Sequence, residues 1–447
     1  MLRNVAAAVG AAMLSGALLT LSLPLGEHGL LIWFTLVPLL VATRGKGFLF
    51  GFFGAILSMS FAAWISSTGL LYAHRFPEFS STWVYAGFGK YGMSFALVFG
   101  VWGEKGTRQL PLWAFAALGV LSEAAQLFQL PAHLALSLYR HAAIVQLASV
   151  GGIWAISYLV WWANFLLADW IPLNWRGVRD SSVRPLAMVG GPALLLLITQ
   201  NLWLPISGET RRYAALQTES VDDKDLTELQ SKASKAGATL VVWPEFAGNA
   251  LVMSGDAKSL QNISALPGMV PFTTSFQDDF PAKPHNVAAI FSNGTESARY
   301  EKRRLFGGEV NDHTAGSKPV AIDGVGLNIC FDSCFPSIVR ETVLQGAEVV
   351  ALPTIDPAST NHFLAAVHAS YTPFRSAESG VAFVRGDARA YSMITDARGK
   401  IVKELVAGDQ ILVADVPRTT RATIYKALGD WFLPFSALLF VAGIVQA

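Results

Sequence analysis

The chain has 447 residues, of which 52% are hydrophobic and only 15% are charged. This composition excludes an ordinary soluble protein and indicates a membrane protein. The formal net charge is +1 and no basic stripe or nucleic-acid-binding signature is present, so the sequence predicts no nucleic-acid partner. Two cysteines are too few for a disulfide framework, and their spacing does not match a zinc site.

Eight apolar stretches are candidates to cross a bilayer, which takes about 20 residues. They occupy residues 4–26, 29–43, 47–73, 82–103, 110–130, 142–168, 185–206 and 431–447. The fourth and fifth each contain a charge, at Lys90 and Glu123. Two explanations are possible for these residues. Each has a functional or paired role inside the membrane, or each lies near a membrane end with its side chain extended to the surface. We therefore expect seven transmembrane helices within residues 1–206 and an eighth at 431–447.

Basic residues in the short connections predict the orientation. If the N-terminus is cytoplasmic, eight Lys and Arg residues lie in cytoplasmic connections and two in the opposite ones. The eight are Arg3, Arg44, Lys46, Lys105, Arg108, Arg176, Arg179 and Arg184, and the two are Arg75 and Arg140. This bias places residues 207–430 outside, in the periplasm of a diderm bacterium. A cleaved signal peptide at the N-terminus is the alternative, but the apolar run is too long for one.

The polar block at 207–430 predicts one α/β domain. Its β-rich runs are 239–243, 286–291, 325–331, 347–353, 381–385 and 411–416, and helical patterns occupy 222–238, 337–347 and 361–379. Such alternation predicts a sheet covered by helices. Active groups are expected at strand ends, where Glu245 and Cys330 stand.

Three residues of this block offer chemistry: Glu245 in VVWPEF, Lys302 in RYEKRRL and Cys330 in LNICFDSCFP. A thiol attacks as thiolate, so it needs a base or a nearby cation, and the carboxylate and the ammonium supply one of each. A fixed ammonium also stabilises an oxyanion. Each residue has a plainer explanation: a buried small cysteine, a solvent-facing glutamate, and a basic cluster near lipid head groups. Together they favour acyl transfer.

The motifs WPEF, YEK followed by GGE, and ICFDSCFP stand in the order of the Glu, Lys and Cys motifs of the nitrilase (carbon–nitrogen hydrolase) superfamily. Within it the chain resembles the apolipoprotein N-acyltransferases over nearly its whole length, including LIWFTLVPLL and TTRATIYKALGDWF. The Glu–Lys–Cys triad alone indicates only amide-type acyl chemistry. Its position between the seventh and eighth membrane segments points far more specifically to these acyltransferases. The resemblance implies a polytopic α-helical membrane domain plus an αββα sandwich.

The resemblance also implies roles for individual residues. Cys330 would carry an acyl chain as a thioester, Glu245 would be the general base, and Lys302 would stabilise the tetrahedral intermediate. Glu309 matches an additional carboxylate of the family.

Other positions follow the family pattern less closely. Phe331 takes an aromatic position, and Asp332 stands where these acyltransferases usually have glutamate. An Asn-Thr-Gly segment of the family is replaced by Ala388, Arg389 and Ala390, and the loop after the nucleophile strand is PTIDPAST. These departures leave open a divergent member or a paralogue with an altered donor or acceptor.

The implied reaction is a ping-pong transfer in the bacterial inner membrane. A phospholipid, phosphatidylethanolamine, would acylate Cys330, and the α-amine of a diacylated apolipoprotein would then attack the thioester. The resemblance implies that the protein contacts membrane lipids and is a monomer. It also implies that the reaction needs no cofactor or metal. Two alternatives are a membrane-anchored amidase with water as acceptor, and a non-catalytic scaffold, which the retention of all three chemical residues disfavours.

Two further expectations concern the surroundings of the site. His368, Arg375 and Glu378 recur at helical spacing, as a similar pattern does in the family, and we expect a structural network under the site. The stretches 246–253 and 354–364 are candidates for a mobile lid over a lipid-binding cavity.

Overall fold

A computed structural model describes residues 2–24, 28–68, 92–125, 131, 133–175, 206–220, 222–247, 257–278, 283–356 and 363–447. Apolar helices occupy the N-terminal part and the C-terminus. Between them, in the part of the chain that the structure describes, lie twelve strands with their covering helices.

The N-terminal helices coincide with the predicted apolar stretches. They are α1 Leu2–Ser22, α2 Val37–Thr43, α3 Phe48–Thr68, α4 Gly92–Gly103, α5 Leu112–Ala124, α6 Ala142–Val145 and α7 Ala148–Trp175. Among the described residues, three segments are long and apolar enough to cross a membrane: Val5–Ser22, Phe48–Ser66 and Ala148–Ile171. Seven of the eight predicted stretches contain described helix. These apolar helices agree with the prediction of a membrane protein. The remaining stretch, 185–206, and Lys90 lie outside the described residues, apart from position 206.

The strands form two six-stranded sheets. They are β1 Glu209–Gln217, β2 Leu240–Glu245, β3 Phe272–Gln277, β4 Asn286–Ser292, β5 Thr295–Glu301, β6 Val320–Ile322, β7 Val325–Leu327, β8 Val349–Thr354, β9 Ala382–Asp387, β10 Ser392–Thr395, β11 Ile401–Leu405 and β12 Gln410–Arg418. One sheet has the order β12-β1-β2-β3-β4-β5 and the other β11-β10-β9-β8-β7-β6. Strands β1 to β3 are parallel to one another, as are β7 to β9, and the other pairs are antiparallel.

Helices cover both sheets. They are α8 Asp223–Lys235, α9 Lys258–Ser264, α10 Glu309–Asp312, α11 Pro336–Leu344, α12 Phe363–Ala369, α13 Tyr371–Ser379 and α14 Ile424–Leu428, followed by the apolar C-terminal helix α15 Phe432–Gln446.

The two faces of strand β2 show how the layers form. Side chains alternate between the faces of a strand. Val242 packs in a core shared with Val349 of the other sheet, whereas Val241 packs in a separate core with Leu226 of α8. The second sheet repeats this pattern, since Val350 packs against α11. The result is the αββα sandwich that the family resemblance implied.

Glu123 is buried in the membrane helices and fully paired. Its carboxylate accepts hydrogen bonds from Ser157 Oγ (2.7 Å), Trp161 Nε1 (2.9 Å) and the backbone N–H of Leu134 (3.4 Å). His133 Nδ1 lies 3.3 Å from the same carboxylate. Pairing, rather than snorkelling to the membrane surface, therefore explains this ionisable residue.

The sandwich is joined to the membrane helices at a break in α7. Gly151 and Gly152 leave the helical conformation, with φ of +68° at Gly152, where a Cβ would lie 2.7 Å from the Tyr425 ring. The helix restarts at Ile153, whose N–H donates to Glu378 Oε1 on α13 at 2.8 Å. A carboxylate at a helix start satisfies an unpaired N–H and the helix dipole. This contact thus joins the sandwich to a membrane helix.

Candidate active site

Cys330 lies in a tight turn directly after β7. The sequence predicted a strand over 325–331, but that prediction was wrong beyond Leu327, because Cys330 begins a 3-10 turn with φ of +48°. A left-handed conformation costs a non-glycine residue about 1–3 kcal/mol, so surrounding contacts must hold it. The Cys330 carbonyl accepts a hydrogen bond from Ser333 Oγ (2.8 Å) and lies 3.1 Å from His368 Nε2.

The predicted base and cation meet at the ends of β2 and β5. Lys302 Nζ donates to Glu245 Oε1 at 2.8 Å and to both oxygens of Glu309 at 2.9 and 2.7 Å. The Glu245 carboxylate is close enough to the Cys330 thiol for its charge to raise the pKa of the thiol. The fold therefore brings together Glu245, the Lys302–Glu309 segment and Cys330, which are distant from one another in sequence.

The two central sheets converge on Glu245. This residue ends β2, and its Oε2 accepts the backbone N–H of Ile355, which follows β8 in the other sheet, at 3.1 Å. The carbonyl of Ile355 lies 3.8 Å from Cys330 Sγ. Carboxyl ends of parallel strands are where α/β proteins place their sites, as the sequence analysis expected.

Asn286 is a site residue that the sequence analysis missed. Its Nδ2 donates to Glu245 Oε1 at 2.8 Å and to Glu309 Oε1 at 3.0 Å. It therefore holds the two carboxylates on either side of the Lys302 ammonium. In the sequence it is only the first residue of the apolar run NVAAIF, and no local pattern distinguishes it from a strand-starting polar residue.

Burial and charge set the protonation of the site. Burial alone would lower the pKa of Lys302, but Glu245, Cys330 and Glu309 outweigh it and raise the pKa well above its ordinary value. Burial would raise the pKa of Glu309, and Lys302 reverses this and lowers it. Burial and the Glu245 charge raise the pKa of Cys330, against the opposing effect of Lys302. The resting site is therefore a thiol beside a charged ammonium and carboxylates.

Asp332 and Phe331 support the turn. Asp332 accepts hydrogen bonds from Tyr300 Oη (2.7 Å), the backbone N–H of Arg304 (2.8 Å) and that of Ile329 (3.1 Å). Burial raises the pKa of Asp332 to about 6, although these donors oppose the shift. Phe331 packs edge-on between the rings of Phe306 and Phe335.

His368 and Asp356 lie on the other side of the nucleophile. Burial lowers the pKa of His368 to about 3, and its Nε2 lies 3.1 Å from the Cys330 carbonyl oxygen. Its Nδ1 lies 2.6 Å from Asp356 Oδ1, and Arg385 Nη2 donates to the other oxygen of Asp356 at 2.5 Å. This network fixes the backbone of the nucleophile.

The three-residue network that the sequence suggested divides in two. His368 contacts Cys330, whereas Arg375 and Glu378 form an ion pair at α7, where Glu378 meets the membrane helix. Cys334 and Cys330 are both free and buried. Of the candidate lid stretches, 248–253 and 357–362 lie outside the described residues.

A cavity of about 140 Å³ adjoins the base. Its lining includes Glu245, Phe246, Ile355 and Arg389. Arg389 belongs to the segment that departs from the family's Asn-Thr-Gly pattern. Within the described part of the chain, no group of three or more potential metal ligands was found.

A buried thiol, a carboxylate that can take its proton and an ammonium that stays charged form a site for nucleophilic attack on a carbonyl. A family model described as "Carbon-nitrogen hydrolase" matches residues 141–425. The chain belongs to the carbon-nitrogen hydrolase family, whose members are enzymes. The match begins in the membrane helices, before the sandwich, and ends after its last strand.

Comparison with individual proteins shows which members of the family the chain is similar to. The chain is 27% identical to an apolipoprotein N-acyltransferase of Geobacter metallireducens, over 94% of this chain and 91% of the relative. It is 24% identical to an apolipoprotein N-acyltransferase of Thermotoga maritima, over 97% and 92%. Among solved structures, an amidase from Nesterenkonia sp. matches with a TM-score of 0.41 at 20% identity, over 48% of this chain and 94% of the amidase. The resemblance noted in the sequence is confirmed.

Proposed function

We propose that this protein is an N-acyltransferase that moves an acyl chain from a phospholipid to the N-terminal diacylglyceryl-cysteine of apolipoproteins. The observation that carries the proposal is the buried Glu245–Lys302–Cys330 cluster in a sandwich fixed on apolar helices. A soluble substrate gives no physical reason for this attachment, whereas two lipid substrates do. Similarity to the two acyltransferases over more than nine-tenths of this chain supports the proposal.

The first half-reaction acylates the cysteine. As Cys330 Sγ attacks the ester carbonyl of phosphatidylethanolamine, its proton passes to the neighbouring Glu245 carboxylate, whose charge acts on the thiol. The Lys302 ammonium compensates the negative charge that develops on the carbonyl oxygen. The C–O bond then breaks, Glu245 returns the proton to the departing oxygen, and a lysophospholipid leaves behind a Cys330 thioester.

The second half-reaction moves the acyl group to nitrogen. The α-amine of the acceptor attacks the thioester carbonyl and gives a proton to Glu245. The C–S bond breaks, and the proton returns to the Cys330 sulfur. No net proton is gained or lost over the cycle, and these residues perform every step.

The proposed location is the bacterial inner membrane, with residues 207–430 as a periplasmic catalytic domain between helices of residues 1–206 and 431–447. The excess of Lys and Arg in the predicted cytoplasmic connections supports this orientation. Periplasmic labelling of an engineered surface cysteine, such as Asp415→Cys on β12, tests it, since a cytoplasmic catalytic domain would remain unlabelled in intact spheroplasts.

The decisive test of function is the intact-protein mass after incubation with phosphatidylethanolamine. We expect an added fatty-acyl mass on the wild type and on Cys334→Ala, the matched control with the other buried cysteine removed. Cys330→Ala should show no adduct. An unmodified wild type would contradict the proposal, and release of ammonia from a soluble amide would instead favour the amidase alternative.

A further inference from the structure

The cavity beside Glu245 lies at the carboxyl ends of four neighbouring strands. Glu219 follows β1, Phe246 follows β2, Ile355 follows β8 and Arg389 follows β9, and all four residues line it. Strands β1 and β2 belong to one sheet and β8 and β9 to the other. Ligands of parallel α/β sheets bind at such ends, where strands of the two halves meet.

Arg389 supplies the positive charge of this cavity. Its Nε donates to Glu219 Oε2 at 3.0 Å and its Nη1 to the carbonyl of Asp356 at 2.9 Å. Its side chain is 28% exposed, and that of Glu219 is 63% exposed. Among the described residues Nη2 has no partner, so the guanidinium is anchored on one side and open to an anion on the other.

Short links connect Arg389 to the reacting atoms. The Asp356 carbonyl that it binds belongs to the residue after Ile355, and the Ile355 carbonyl lies 3.8 Å from Cys330 Sγ. One residue of extended chain spans about 3.5 Å, so the guanidinium lies within roughly 10 Å of the sulfur. In a glycerophospholipid, only the glycerol backbone separates the phosphate from the ester that the sulfur would attack.

We propose that this cavity binds the phosphodiester of the donor phospholipid, with Arg389 as the residue that recognises it. The inference rests on the proposed function and specifies how its donor is selected. A planar guanidinium matches the oxygens of a phosphate and forms charge-assisted hydrogen bonds with them. With Arg389 anchored on the phosphate, the ester lies near Cys330 rather than at an arbitrary depth in the bilayer.

The test compares two donors that differ in the phosphate group: phosphatidylethanolamine and a diacylglycerol with the same acyl chains. The measurement is kcat/KM for thioester formation on full-length protein, followed by intact mass. In Arg389→Ala, the charge-assisted hydrogen bonds to the phosphate are lost. The ratio of kcat/KM for phosphatidylethanolamine to that for diacylglycerol should therefore fall about tenfold or more. Arg389→Lys, which keeps the charge, should retain part of the preference.

Arg212→Ala is the matched control, because Arg212 on β1 forms an exposed ion pair with Asp415 on β12 but does not line the cavity. It should keep the wild-type preference. An unchanged preference in Arg389→Ala, with thioester still formed, would overturn this inference and leave the proposed function standing. No thioester from either donor in the wild type would overturn the proposed function itself.

Inorganic phosphate distinguishes a lipid phosphate from a free anion. It should slow the wild type with phosphatidylethanolamine and leave the rate with diacylglycerol unchanged. Equal slowing with both donors would assign the cavity to a free anion and overturn the lipid assignment.

Discussion

Replacing Lys302 by methionine removes a buried positive charge. Among the described residues, Lys302 is the only positively charged side chain in contact with both Glu245 and Glu309. Its ammonium makes three contacts of 2.7 to 2.9 Å with the two carboxylates, and its side chain is 2% exposed. Removing one partner of a buried ion pair costs about 3–5 kcal/mol, because the remaining charge is left uncompensated. For a domain of this size that corresponds to a fall in Tm of roughly 10 °C.

The loss should depend on pH with a defined sign. In the wild type Lys302 lowers the pKa of Glu309, so this carboxylate contributes stability that is present above its unfolded-state pKa and lost as the pH falls through the folded value. Without the ammonium, two neighbouring carboxylates remain, and a bound proton relieves their repulsion. The stability difference between wild type and Lys302→Met should therefore be larger at pH 8 than at pH 5.

Thermal unfolding in detergent, followed by tryptophan fluorescence at both pH values, measures this difference. Arg212→Met serves as the control, because its ion pair with Asp415 is about half exposed and such pairs contribute less than about 1 kcal/mol. A Lys302→Met loss no larger than that of the control, or an equal loss at both pH values, would refute the assignment of Lys302 as a buried counter-ion.

Substitutions at three further residues test other contacts. Asn286→Ala removes two hydrogen bonds to carboxylates, and we expect thioester formation to slow at least about tenfold in the intact-mass assay; a wild-type rate would show that Asn286 does not position the base. Burial raises the pKa of Glu378 to about 7, against the effect of Arg375. Ionising this carboxyl is therefore harder in the folded state, and the free energy of unfolding should fall by up to about 3 kcal/mol as the pH rises from about 4 to above 7. Glu378→Gln should remove this pH dependence from the unfolding curve, and an unchanged curve would contradict the pKa. Glu123→Ala leaves several buried donors unpaired and should lower the unfolding free energy by about 2–4 kcal/mol, with a smaller loss in Glu123→Gln; equal losses would mean that hydrogen bonding to this side chain is not what matters.

Local sequence was sufficient for the features that depend on short segments. Apolar runs identified β2 and β8, because a strand buried on both faces reads as a continuous hydrophobic run. The charge-poor stretches identified α1, α3 and α7 by their length. Strand β5, whose exposure alternates along the strand, and strand β11, which has no buried residue, carry a weaker signal and were not predicted.

The candidate site was recoverable only where a motif carried it. Glu245, Lys302 and Cys330 stand in recognisable motifs, whereas Asn286 acquires its role by lying opposite two carboxylates from other elements. The left-handed backbone of Cys330 was also not evident from the sequence, because the contacts that hold it come from Ser333 and from His368, which lies 38 residues after Cys330.

The sequence by itself determined that this is a membrane protein with an α/β block, and it identified Cys330, Glu245 and Lys302 as the candidate thiol, base and cation. Composition and periodicity determine such properties because each residue contributes to them independently of distant partners. Only the tertiary structure decided how Glu245, Lys302, Glu309 and Asn286 share one buried set of hydrogen bonds. It also decided that Arg389 lines a cavity next to them. These properties depend on distances between side chains on different strands, and the packing of the two sheets on the membrane helices sets those distances.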